Sequence, residues 1–162
     1  MTRPARPVTV LVVEDDPEDR ILTELACGVA PLVADFRWVR DGEELLDYLR
    51  RGGKYAGAAE APRPGLILLD LNLPKLDGRD ALRMVKADVA LRSIPVVVLT
   101  TSNAVEDIHH VYQAGGNSFF TKPPSFAGLV ELMRLLRRYW LETVLLPPET
   151  AADSQEGTLR CR

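Results

Sequence analysis

The sequence has few cysteines and no long apolar run. Its 162 residues include two cysteines, Cys27 and Cys161, which lie far apart and form neither a CxxC metal-binding pair nor a disulfide framework. The first apolar segment, Val8 to Val13, is too short for the core of a signal peptide or for a membrane span. These absences argue against secretion and membrane insertion, so we expect a reduced, cytoplasmic protein.

The sequence also lacks a strong excess of either charge. It has 20 Lys and Arg against 23 Asp and Glu, a formal net charge of -3, so composition gives no reason to expect nucleic acid as a partner. No helix-turn-helix pattern follows Leu146. The length suits one domain, and we expect a flexible N-terminus over 1–7, a domain over 8–146 and a disordered, polar tail over 147–162.

Short apolar segments alternate with amphipathic ones along the chain. Apolar runs at 8–13, 66–69 and 96–99 are typical of strands buried on both faces, and weaker strand patterns occur at 35–39 and 117–121. The segments that follow these strands have helix start signals and apolar residues at helical spacing. The alternation predicts an α/β protein with a doubly wound, five-stranded parallel sheet and helices on both faces.

Two connecting segments carry specific local signals. Asn103 and Glu106 have the spacing of a capping box, which predicts that Asn103 begins the fourth helix. The stretch from Gly52 to Gly65 is rich in Ala, Gly and Pro and has little periodicity, so we expect a long surface loop.

Reactive side chains follow several of the predicted strands. Residues 14–16 are Glu, Asp and Asp after the first strand, Asp70 follows the third, Thr100 ends the fourth and Lys122 follows the fifth. In a doubly wound sheet these ends open on one crevice. Clustered carboxylates repel one another unless a hard cation takes their oxygens, and Mg2+ suits such a site. Together with an ammonium and a hydroxyl, the site could neutralise a phosphoryl group that a carboxylate attacks.

Several polar residues near these motifs have a simpler interpretation. Asp16 is in position to cap the first helix, and we favour that role over metal binding. Thr101 needs no role beyond ending a strand. His109 and His110 lie in a helical pattern, where surface positions are more common than catalytic ones.

The motifs, in this order and spacing, resemble those of bacterial response-regulator receiver domains. The resemblance covers about Val8 to Leu146 and implies a flavodoxin-like (βα)5 fold with strand order 2-1-3-4-5. It rests on Val13-Glu14-Asp15-Asp16-Pro17, Asp70-Leu71-Asn72-Leu73-Pro74 with Asp77-Gly78, Thr100-Thr101, and Lys122-Pro123.

The resemblance implies a phosphoacceptor and a metal site. Asp70 would accept a phosphoryl group from the phosphohistidine of a sensor histidine kinase. Asp15 would bind Mg2+ directly, and Asp70 would belong to the same metal site. Glu14 would bind it through water and Asn72 through its main-chain carbonyl.

The resemblance also implies how the modification is sensed. Thr100 would donate its hydroxyl to the phosphoryl group, and Lys122 would pair with it and precede a cis peptide bond to Pro123. Thr100 and Phe119 match the switch positions of the family. Phe119 lacks the hydroxyl of a Tyr switch, and it fits an ordinary core position equally well.

A narrower resemblance concerns the regulators of bacterial phytochrome kinases. The long 52–65 loop, the Leu-Thr-Thr-Ser run at 99–102 and the Tyr-Trp-Leu sequence at 139–141 resemble single-domain regulators of that group. They imply a phytochrome-type kinase as partner and output through protein contacts.

The end of the last predicted helix indicates a surface for self-association. Tyr139, Trp140, Val144 and Leu145 extend its apolar face past the expected edge of the sheet. Apolar residues left exposed there favour a homodimer, formed through the fourth helix, the last strand, the last helix and the C-terminal extension.

Two other functions compete with a phosphorylation switch. A phosphohydrolase of the aspartyl-phosphate type uses a second acid two residues after its nucleophile, whereas this chain has Asn72 there, so we expect no enzyme beyond Mg2+-dependent self-phosphorylation and autodephosphorylation. The other alternative is a degenerate receiver that binds partners constitutively. The complete set of acids, with Thr100 and Lys122, argues against it.

Overall fold

The computed structural model describes residues 6–29, 33–57, 59 and 61–149. Within them, five strands alternate with five α-helices, as the sequence predicts. The strands are Val8–Val13 (β1), Ala34–Val39 (β2), Leu66–Leu69 (β3), Val96–Thr100 (β4) and Ser118–Thr121 (β5). The helices are Pro17–Val29 (α1), Gly42–Arg50 (α2), Gly78–Ala87 (α3), Val105–Gln113 (α4) and Phe126–Leu136 (α5).

The strands form one parallel sheet with the order β2-β1-β3-β4-β5, which confirms the predicted topology. Val13 lies opposite Leu69 in the register of β1 and β3. The residues that follow them, Glu14 and Asp70, therefore leave the sheet at the same level. The main-chain N–H of Asp70 donates to the Val13 carbonyl at 3.2 Å, which holds the two strand ends together.

Both faces of the sheet are covered by helices. Side chains that alternate along the central strands, such as Leu11 and Val12, point into separate apolar layers. One layer lies under α2, α3 and α4, and the other lies under α1 and α5. β3 and β4 are buried along their whole length, which explains why their sequences are uninterrupted apolar runs.

Most helices begin at a side-chain cap. The Oδ1 atom of Asp16 accepts hydrogen bonds from the main-chain N–H groups of Glu18 and Asp19, at 2.8 and 3.2 Å, so Asp16 caps α1 as predicted. Three other helices begin in the same way, α2 at Asp41, α3 at Asp77 and α5 at Ser125.

The start of α4 differs from the prediction. Its N-cap is Ala104, so the capping box predicted at Asn103 is wrong. The hydroxyl of Ser102 accepts the N–H of Ala104 at 3.3 Å and donates to the carboxylate of Asp107 at 2.5 Å. Ser102, one residue before Asn103, therefore organises this turn.

The segment between α2 and β3 is fastened to α2. It contains a short 3-10 helix, Gly53–Tyr55. The Tyr55 hydroxyl donates to Glu44 at 2.7 Å, and the Tyr48 hydroxyl donates to the Pro62 carbonyl at 2.8 Å. Burial alone would raise the pKa of Glu44, but hydrogen bonds, led by that from Lys54, lower it to about 2. The predicted surface loop is thus tied to α2 at two points.

The chain continues past α5 as a π-helical segment, Arg137–Thr143. Trp140 packs against the apolar layer under α1 and α5, whereas Tyr139 and Leu145 are 50% and 98% exposed. Leu146 then lies beside Gly65, at the edge of the sheet opposite Asp70.

The predicted chain ends fall mostly outside the described part of the protein. Residues 1–5 of the N-terminal segment lie outside it, as do residues 150–162 of the tail, which include Cys161. None of the helices in the described ranges is both long and apolar enough to cross a membrane.

Candidate functional site

The acids after β1 have different environments. Glu14 is buried, and its Oε1 atom accepts the main-chain N–H of Asp16 at 3.1 Å. Burial raises the pKa of Glu14, against the opposing effect of a nearby ammonium. Asp15, the next residue, is exposed. The first strand therefore presents one buried and one solvated carboxylate at the same edge of the sheet.

Asp70 is buried between the two neighbouring strand ends. Its Oδ1 atom accepts the main-chain N–H of Asn72 at 3.1 Å, and its Oδ2 atom lies 2.9 Å from the Nζ atom of Lys122. The start of α3 packs closely against it, because a Cβ atom on Gly78 would lie 2.3 Å from the main-chain oxygen of Asp70. The contacts with Asn72 and Lys122 and the close approach of α3 therefore fix the position of Asp70.

The ammonium of Lys122 joins three carboxylates. Its Nζ atom lies 2.6 Å from Glu14, 2.8 Å from Asp19 and 2.9 Å from Asp70. Burial alone would lower the pKa of Lys122, but the hydrogen bonds to these carboxylates outweigh it, so the pKa rises above its ordinary value. Lys122 is therefore a permanent cation at the centre of the site.

The carboxylates suit a divalent cation. Ligand oxygens of Glu14, Asp15 and Asp70 all lie within 4.8 Å of one another. Carboxylate oxygens are the ligands that hard cations such as Mg2+ and Mn2+ prefer. The predicted acids are thus brought together. The role predicted for the carbonyl of Asn72 stays a prediction, although its N–H contact with Asp70 places that residue at the rim of the cluster.

The register of β4 and β5 joins the main chains of Thr100 and Lys122. Thr100 is fully buried, and its carbonyl accepts the main-chain N–H of Lys122 at 2.7 Å. Phe119 lies opposite Val98 and packs, partly buried, against the layer under α2, α3 and α4. The switch roles of Thr100 and Phe119 stay predictions.

One prediction about this region is wrong. All peptide bonds in the described part of the chain are trans, including the bond between Lys122 and Pro123. A trans bond is the lower-energy form even before proline, by about 0.5–1 kcal/mol. Lys122 reaches its three carboxylates with this geometry.

Two features of the site were missed from the sequence. Asp19 lies in the first turn of α1 and contacts Lys122, although no role in the site was predicted for it from the sequence. Arg79 at the start of α3 makes two hydrogen bonds to Asp107 of α4, at 2.5 and 2.7 Å, while Asp107 also accepts from Ser102. The only sequence signal for the contact of Asp19 was its position as an acid in the first turn of α1, next to the strand ends. No sequence signal indicated the contact between Arg79 and Asp107.

Comparison with known proteins identifies the family. The model of the response regulator receiver domain matches residues 10–134. The response regulator Rcp1 of Synechocystis sp. is 38% identical over 141 residues, which is 87% of this chain and 94% of Rcp1. Rcp1 has also been solved in a Mn2+-bound form, with a TM-score of 0.80 over 88% of this chain and 100% of that one.

Two further solved structures are equally similar. RcpA, a phosphorylated cyanobacterial phytochrome response regulator, is 41% identical, with a TM-score of 0.82 over 89% of this chain and 100% of RcpA. RPA3017, a response regulator in red light signaling of R. palustris, is 38% identical, with a TM-score of 0.83 over 88% of this chain and 99% of that one. The fold, the acidic cluster and these similarities agree, and the chain belongs to the response regulator receiver domain family.

Proposed function

We propose that the protein is a phosphorylation switch whose phosphoacceptor is Asp70. The observation that carries the proposal is the position of the Asp70 carboxylate, which is buried at a strand end between the Lys122 ammonium and a cluster of metal-binding oxygens. A buried carboxylate with this surrounding charge is suited to receive a group that brings further negative charge.

The reaction is a transfer from a phosphohistidine of a sensor histidine kinase. A carboxylate oxygen of Asp70 attacks phosphorus, the new O–P bond forms, and the P–N bond to the imidazole breaks, leaving the histidine as the departing group. Lys122 and Thr100 would then stabilise the phosphoryl oxygens as hydrogen-bond donors.

A divalent cation completes the site. Glu14, Asp15 and Asp70 would hold it, with the carbonyl of Asn72 and water, and we propose Mg2+. When bound, Mg2+ supplies positive charge that offsets the carboxylates and the transferred group. The existence of a Mn2+-bound form of the related Rcp1 supports the binding of a divalent metal. We propose no turnover of an external substrate, only Mg2+-dependent self-phosphorylation and autodephosphorylation.

The proposed partner is a phytochrome-type kinase. Support comes from RcpA and RPA3017, which are described as regulators in phytochrome and red light signaling and which this chain matches over at least 88% of its length. Transfer from a phosphorylated phytochrome kinase to the wild type, and its absence with Asp70→Asn, would test the pairing.

We also propose that the protein signals as a homodimer. Val105 and Tyr112 on α4 are exposed apolar residues, as are Tyr139 and Leu145 in the C-terminal extension. Val144 is half-buried, and Trp140 contributes mainly by packing the extension against the domain. Exposed apolar residues on α4 and the extension support the predicted self-association surface.

The direct test of the phosphoacceptor is intact mass spectrometry after treatment with a small phosphodonor and Mg2+. We expect one phosphoryl adduct on the wild type, no adduct on Asp70→Asn, and loss of the adduct with a chelator. Asp77→Asn is the matched control, since Asp77 lies on the same connection and caps α3, a role that Asn also fills. An absence of adduct on every variant would favour a constitutive binding module instead.

A further inference from the structure

The hydrogen-bonding capacity of Lys122 is fully used in this structure. An ammonium has three N–H donors, and Lys122 has three carboxylate acceptors, Glu14, Asp19 and Asp70, within 2.9 Å. When Asp70 is phosphorylated, its carboxylate charge is lost, and a phosphoryl oxygen takes over the N–H that contacts Asp70 in the unmodified site. A second phosphoryl oxygen that accepts a hydrogen bond from Lys122 must replace Glu14 or Asp19.

The two remaining carboxylates differ in what their release would cost. The side chain of Glu14 is 6% exposed, whereas that of Asp19 is 38% exposed. A buried carboxylate that loses its cation is left poorly solvated, which is strongly unfavourable. Water can solvate the released Asp19 carboxylate, so its ion pair with Lys122 is the weaker of the two.

Asp19 also stands apart from the metal-binding acids. The oxygens that cluster closely enough for one cation, among the described residues, belong to Glu14, Asp15 and Asp70. Asp19 comes from α1, one turn further along the chain than Asp15, and reaches the site through Lys122. Asp19 therefore contacts Lys122 and not the metal-binding acids, and this contact is a feature of the unmodified site.

We propose that Asp19 is a positioning residue that holds Lys122 in the resting site and is exchanged for a phosphoryl oxygen when Asp70 is modified. This inference rests on the proposed function of Asp70. Asp19 thus stabilises the unmodified state, and it also places a negative charge near the incoming group. Removing that charge shifts the balance toward the modified state through both effects.

The test uses beryllofluoride with saturating Mg2+ as a non-transferable stand-in for the phosphoryl group, with affinity measured by calorimetry. We expect Asp19→Asn to bind beryllofluoride about two- to fivefold more tightly than the wild type, because partly exposed ion pairs are weak. Glu18→Gln is the matched control. It removes the same charge from the same turn of α1, and the side chain of Glu18 is exposed.

Three results with the variants would overturn the inference and leave the proposed function intact. Equal or weaker binding by Asp19→Asn would show that Asp19 does not compete for Lys122. An equal gain in Glu18→Gln would reduce the effect to general charge. A large loss of Mg2+ affinity in Asp19→Asn, measured without beryllofluoride, would make Asp19 a metal ligand. If the wild type itself does not bind beryllofluoride, the proposed function falls as well, which separates the two failures.

Discussion

At the scale of single residues, the contact between Arg79 and Asp107 joins two helices beside the site. Two nitrogens of the guanidinium donate to the two oxygens of Asp107, and Ser102 donates to the same carboxylate. The hydrogen bond from Arg79, followed by that from Ser102, lowers the pKa of Asp107 to about 2. Because Ser102 lies two residues after Thr100, this carboxylate fixes the turn that follows the predicted switch residue.

This lowered pKa predicts a pH-dependent contribution to stability. The pKa of Asp107 is lower in the folded than in the unfolded protein, so its ionised form stabilises the fold above about pH 4, and this contribution is lost as the pH falls toward 2. Asp107→Asn should therefore reduce the free energy of unfolding by about 1 kcal/mol at pH 7, and by progressively less below pH 4. Urea unfolding at several pH values measures this difference.

The control for Asp107→Asn is Glu106→Gln, which removes an exposed acid from the same turn of α4. It should change stability little at any pH. A deficit in Asp107→Asn that stays constant from pH 7 to pH 3 would contradict the role of its charge.

The acidic cluster gives a second prediction, on metal binding. Mg2+ at ten times its dissociation constant should raise the free energy of unfolding by about 1.4 kcal/mol, since it binds only the folded protein. Asp15→Asn should remove most of this gain if Asp15 binds the metal directly, as proposed, because its oxygens lie close to those of Glu14 and Asp70. Thermal unfolding with Mg2+ and with EDTA measures it, with Glu18→Gln as control. An undiminished gain in Asp15→Asn would exclude Asp15 as a ligand.

The residues of the site were predictable to different degrees. Glu14, Asp15, Asp70 and Lys122 follow strand ends, and parallel topology alone brings strand ends to one edge. Asp19 was not predictable, because its contact depends on the direction in which a helical side chain points across the sheet edge.

At the scale of elements, the close fit between the end of β3 and the start of α3 fixes the position of Asp70. A Cβ atom on Gly78 would meet the main-chain oxygen of Asp70 at 2.3 Å and the Cα atom of Leu71 at 2.7 Å. Both are backbone atoms and cannot turn aside. The connection after Asp70, the proposed phosphoacceptor, therefore requires a residue without a side chain at position 78.

Gly78→Ala should destabilise the protein by about 2–3 kcal/mol, because the added methyl group forces α3 away from β3. It should also weaken Mg2+ binding, since Asp70 moves with its backbone. Gly28→Ala in α1 is the control, because a Cβ atom there has no neighbour within 4 Å. That variant should gain up to about 1 kcal/mol from helix propensity. Equal unfolding midpoints for the two variants would contradict the close fit.

Helices and strands were predicted well where the periodicity of apolar residues determines them. They were predicted poorly where a single side-chain contact determines where a helix begins. The five strands and five helices follow from apolar patterns, and the structure confirms them. The start of α4 was misplaced, because the spacing of Asn103 and Glu106 gave no sign that Ser102 contacts Asp107. The π-helical segment 137–143 was likewise not predictable. Its apolar residues continue the spacing of α5 closely enough that the sequence gives no sign of the change from α-helical to π-helical hydrogen bonds.

At the scale of the whole molecule, the exposed apolar residues of α4 and of the C-terminal extension are the proposed contact surface of a homodimer. If these residues form the dimer surface, Leu145→Arg should shift the protein from dimer to monomer, because Leu145 is almost fully exposed and a charge there would be buried on association. Sedimentation velocity over a range of concentrations measures the shift.

The control for Leu145→Arg is Val89→Arg, which changes another exposed apolar residue, just after α3. It should leave the sedimentation coefficient unchanged. A mass that does not change in either variant would remove Leu145 from the interface.

The path of the C-terminal extension brings the first and last described segments together. Val8 and Leu146 both lie beside Gly65. Arg6, which precedes Val8, and Glu149, which follows Leu146, line one cavity at the ends of the strands opposite Asp70. A short linker could therefore join the two segments, and new termini could be opened elsewhere on the surface. Such a circular permutant should keep the arrangement of Glu14, Asp70 and Lys122 at the opposite ends of the strands.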